Sequence, residues 1–81
     1  MTKTQLTETD LEFLIDACMT AVHHHEHITI PKLREEDVEM LVELGYEPDE
    51  SFVKVIANIE SVIEHFKQLQ RKLDAEIEAL P

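Results

Sequence analysis

Eighty-one residues with 18 carboxylates, 7 bases, one cysteine and one glycine carry a formal charge of −11. That length allows a single domain, and that charge excludes phosphate-backbone and anionic-membrane recognition, both of which run on clustered Lys and Arg. The lone cysteine excludes an internal disulfide, and the lone glycine excludes a Gly-rich phosphate loop.

A chain this short buries only about 60% of the surface its unfolded form exposes, so oligomerisation is an expected source of stability. No apolar run with a small-residue cleavage site opens the sequence, and no stretch approaches the roughly 18 apolar residues of a membrane span. With Cys18 unpaired, the expectation is a cytoplasmic chain without a membrane segment.

The first predicted helix covers about 8–26. Thr7 or Thr9 caps it, Asp10 and Glu12 suit its positive dipole end, and Leu11, Leu14, Ile15, Cys18, Val22 and His25 form one stripe. Ile28-Thr29-Ile30 is β-branched and precedes Pro31, so 28–31 is expected to be an extended connector. A second helix is predicted over about 32–44, with Val38, Leu41 and Val42 on one side and Leu33, Met40 and Leu44 on the next. Gly45 supplies its left-handed stop.

Pro48-Asp49-Glu50-Ser51 reads as a turn and cap, and no breaker follows before Pro81, so the third helix is predicted over about 50–80. Phe52, Ile56, Ile59, Ile63, Phe66, Gln70, Leu73, Ile77 and Leu80 alternate at steps of four and three, a heptad with one polar position at Gln70. Val55, Val62 and Leu69 add an apolar flank at the g positions, widening the seam to the bundle type. The fold class is therefore an all-α small helical bundle, two shorter helices plus one long C-terminal heptad helix, completed by oligomerisation. Length supports that last step. At 1.5 Å per residue the third helix is about 45 Å long and the first about 28 Å, leaving its C-terminal half uncovered. A homo-oligomer through helix 3 follows, with Ile59, Ile63, Phe66, Gln70, Leu73, Ile77 and Leu80 as its interface.

The candidates for chemistry are few. His23 and His27 share a face with Asp16 and present the residue types that hold Zn²⁺, Ni²⁺ or Co²⁺, but the order is not that of a metalloprotease helix. The plainer reading is a solvated histidine patch near a helix end. Cys18 and His25 lie on one stripe about 10 Å apart, too far to act as nucleophile and base. Lys67, Arg71 and Lys72 are expected to pair with Glu64, Asp74 and Glu76. No catalytic set and no cofactor motif assembles from these residues, so no enzyme is expected.

The acid is concentrated. Residues 31–50 hold eight carboxylates and two bases, whereas residues 51–81 hold five and four. Glu35, Glu36, Glu39, Glu43 and Glu47 form a candidate docking face for a larger protein with a basic surface, one that otherwise receives DNA included. The expected role is that of a small acidic regulatory or inhibitory protein, by analogy with accessory factors of phages and mobile elements. The alternative is an oligomer that sequesters a metal or small ligand at its histidines or subunit interface.

Overall fold

The computed structural model describes residues 6–80. Helix α1 spans Glu8–His24, and its start is a capping box: the Thr7 hydroxyl accepts the Asp10 N–H at 3.1 Å, while the Asp10 carboxylate accepts the Thr7 N–H at 3.0 Å. Those bonds hold the Asp10 carboxyl below its ordinary pKa.

The histidines do not end this helix. A π-helical turn, His25–Thr29, carries the chain into α2, Ile30–Arg34. The expected extended connector at 28–31 is thus helical, and the physical reason lies in the wider turn. Proline has no N–H to lose and is accommodated in the first turn of α2, and the π turn redirects the backbone ahead of its ring, with the Ile30 N–H bonding the His25 carbonyl. Thr29, almost fully buried, satisfies its hydroxyl on His25 Nδ1 at 3.1 Å.

The predicted second helix, 32–44, is two pieces. After α2 the chain turns at Glu35 and Glu36, and α3 runs Val38–Glu43. Glu36 adopts a left-handed φ of 60°, and the Asp37 N–H closes back on the Lys32 carbonyl at 3.1 Å. Asp37 then caps α3 by accepting the Glu39 and Met40 N–H groups. Three consecutive acids favour this break: a capping carboxylate at Asp37 competes with a continuous helix for the backbone donors. At the far end Gly45 takes a φ of 89°, and the Tyr46 N–H reaches the Leu41 carbonyl at 2.9 Å, closing the helix as the glycine led one to expect.

Ser51 caps α4, Phe52–Glu78, whose 27 residues match the 17, 5 and 5 of α1, the π turn and α2 together. The continuous rod and α4 pack antiparallel. Leu11 and Cys18 meet Leu73, with Ile15, Phe66 and Ile77 packed around them. At the other end Ile30, Leu33, Met40 and Leu41 close over Val55, Ile59 and Ile63. The proposed interface residues are therefore spent inside the chain. Ile59, Ile63 and Leu73 are buried, Phe66, Gln70 and Ile77 are half-buried, and Leu80 alone is exposed. The first helix does not end near residue 26 as expected, because the π turn carries it on into α2, and the continuous rod covers α4 along its length.

Candidate functional site

Core packing covers only one side of α3. Met40 and Leu41 point inward, at 5% and 0% exposure, while Val38 and Val42 face out at 46% and 53%. Residues four apart share a helix face, so the two valines form one bare apolar ridge. The break at Glu35–Asp37 sets this orientation; an unbroken helix was expected to place Val38 and Val42 against a neighbour. Their exposure was not legible in the sequence.

Carboxylates frame the ridge. Glu35, Glu36, Glu39, Glu43 and Glu47 are all exposed at this end of the molecule. Ion pairs among the described residues lie elsewhere, Lys54–Glu50 at 3.5 Å and Lys67–Glu26 at 3.2 Å. The five carboxylates are thus open to an incoming cation, and every neighbour between Glu35 and Glu50 that carries charge is also acidic.

The histidine cluster resolves into separate parts. The His23 and His27 rings lie 4.4 Å apart, tilted by 37°, on an exposed surface. Asp16 lines a different patch with Thr9, Glu12 and Phe13. No group of three His, Cys, Asp or Glu side chains able to hold a metal occurs among the described residues, so the Asp16–His23–His27 set is not assembled. Lys67 lies in the groove beside both histidines and adds a positive charge where a cation would sit. Replacing His23 and His27 by Gln is expected to change unfolding free energy by less than about 0.5 kcal/mol. Urea titration checks that figure, and calorimetry with zinc chloride is expected to show no stoichiometric site in the unaltered chain.

Cys18 is buried in the α1–α4 core and His25 is turned to Thr29, so the two share no chemistry. Burial, together with neighbouring His24, lowers the His25 pKa and favours the neutral ring. The basic cluster also differs from expectation, since Lys67 pairs across the hairpin with Glu26 and not within α4. No described helix is long and apolar enough to cross a membrane. No protein-family model, curated protein or solved structure matches the chain, so the site is read from its own geometry.

Proposed function

We propose that this chain acts by binding, as a small acidic regulatory or inhibitory protein whose α3 end occupies a basic surface of a larger protein in the cytoplasm. The observation that carries the reading is the exposed Val38–Val42 ridge, with carboxylates beside it that form no ion pair among the described residues. An apolar centre with a charged rim is the usual anatomy of a protein–protein contact. Carboxylates on this rim steer a basic partner toward the ridge, and the valines supply the desolvated area that holds it.

Backbone cost points the same way. Glu36 occupies a left-handed conformation that glycine or asparagine adopts more cheaply, by about 1–2 kcal/mol. Retaining a carboxylate there at that cost fits a side chain used outside the fold. A basic protein surface that ordinarily receives nucleic acid is a natural target, because it presents the Lys and Arg side chains that these acids complement.

The test is retention of a stoichiometric protein from the native host by the immobilised full chain. Glu39→Lys with Glu43→Lys is expected to lose it. Glu12→Lys with Asp16→Lys, the same charge change on the outer face of α1, is expected to keep it. Equal loss in both variants reduces the contact to net charge and contradicts docking at α3.

A further inference from the structure

We infer that the bare face of the α1–α4 hairpin is a dimer interface for a second copy of this chain, docked antiparallel so that the two acidic α3 ends lie far apart. The residues are not those of the internal heptad seam but the row beside it.

The Lys67–Glu26 contact at 3.2 Å fixes which flanks of the two helices adjoin. On that polar flank α4 shows Val53, Glu60 and Lys67. The opposite flank carries Val55, Val62 and Leu69 from α4, one heptad apart, and Leu14 and Ala21 from α1. Val53 is 80% exposed whereas Val55 is fully buried, so the α2–α3 layer lies over the second flank. Farther along the same row the cover ends: Val62, Leu69 and Leu14 are 39%, 38% and 42% exposed. One row is thus buried where a second layer exists and about 40% exposed where it stops.

Shape supports the deficit. The molecule measures 50 × 27 × 16 Å, an elongated shape. The radius of gyration is 16.3 Å, against about 12 Å for a compact chain of this length. Its accessible surface is 6273 Å², roughly 1,200 Å² above that of a compact monomer of this mass. A standard interface removes about 800 Å² per partner, which that excess accommodates.

Charge selects the occupant and its direction. By helical register the row's charged neighbours are Asp10, Glu76 and Lys72, so the face is close to neutral while Glu35–Glu50 holds eight acids and no base. A near-neutral apolar row has no preference for a basic partner and matches itself. A two-fold axis crossing the helices sets each α4 against its counterpart and keeps the two α3 ends apart. An axis along the helices instead brings sixteen acids to one end.

Light scattering of the full chain at micromolar concentration is expected to give twice 9.4 kDa. Val62→Glu with Leu69→Glu is expected to halve that mass with helical circular dichroism unchanged, and Val53→Glu on the polar flank to leave it doubled. Should the double variant lose helicity, Val62→Ala with Leu69→Ala supplies the test by raising the dimer dissociation constant at least tenfold. Spin labels at Glu43→Cys are expected to lie apart by a distance comparable to the 50 Å length of the molecule. A single-chain mass for the unaltered protein, or a dissociation constant unmoved by changes at Val62 and Leu69, overturns the interface. A short label distance overturns its direction. None of these substitutions except the label site touches α3, so failure here leaves the α3 docking reading standing, and the reverse holds too.

Discussion

Leu33→Ala is expected to cost about 2–5 kcal/mol and lower the melting temperature by at least about 8 °C. Leu33 is fully buried in α2 and joins one cluster with Leu41, Val55, Ile59 and Ile63. It is also the residue through which the π turn matters. By admitting one extra residue before Ile30, that turn rotates α2 so that Ile30 and Leu33, and not their polar neighbours Lys32 and Arg34, face α4. An 81-residue domain has about 4–12 kcal/mol of stability in all, so this one truncation removes a large share. Thermal unfolding followed by circular dichroism checks it, with Val53→Ala as the comparison. Val53 is 80% exposed and is expected to shift stability by less than about 0.5 kcal/mol. Equal effects at the two positions contradict the packing described here.

Reversing Glu39 and Glu43 to Lys is expected to slow association with the retained partner by about tenfold or more at low salt, and to change dissociation far less. The expectation rests on geometry. Both side chains are exposed beside Val38 and Val42, and neither is held by an ion pair among the described residues, so their field acts on the approaching partner. The effect should shrink toward twofold as ionic strength passes about 0.15 M, where the screening length is about 8 Å. Stopped-flow association across a salt series reads both quantities. Val38→Ser with Val42→Ser is expected to do the opposite, leaving the association rate near its original value and accelerating dissociation, because apolar contact forms after encounter.

The all-α bundle and its long C-terminal helix were legible because one glycine and three prolines leave few breaks and because Phe52–Leu80 keeps a strict heptad. A threonine cap at Thr7 or Thr9, the capping turn at 48–51 and the Gly45 stop were equally readable, since each depends on a local hydrogen bond or a single φ, and the structure selects Thr7 and Ser51. What escaped was the connection. A β-branched run ahead of Pro31 has an intrinsic preference for extended backbone, and packing of Ile30 and Leu33 on α4 overrode it through a π turn. That one error carried the length argument with it and sent the oligomer interface to residues that α1 covers.

The concentration of acid over residues 31–50 was readable directly, and Glu35, Glu36, Glu39, Glu43 and Glu47 are all exposed. The Val38–Val42 ridge was not identifiable, because only the break at Glu35–Asp37 turns it outward. The metal set failed for a reason visible in helical geometry: Asp16 lies seven residues from His23, about 10 Å along the axis.

Carboxylate footprinting of the complex tests the central claim most directly. Carbodiimide labelling of the free chain should modify exposed acids throughout, and binding of the retained partner is expected to protect Glu35, Glu39, Glu43 and Glu47 while Glu12 and Asp16 label as before. Protection at Glu12 and Asp16 with unchanged labelling across α3 contradicts the account and places the partner on the outer face of α1.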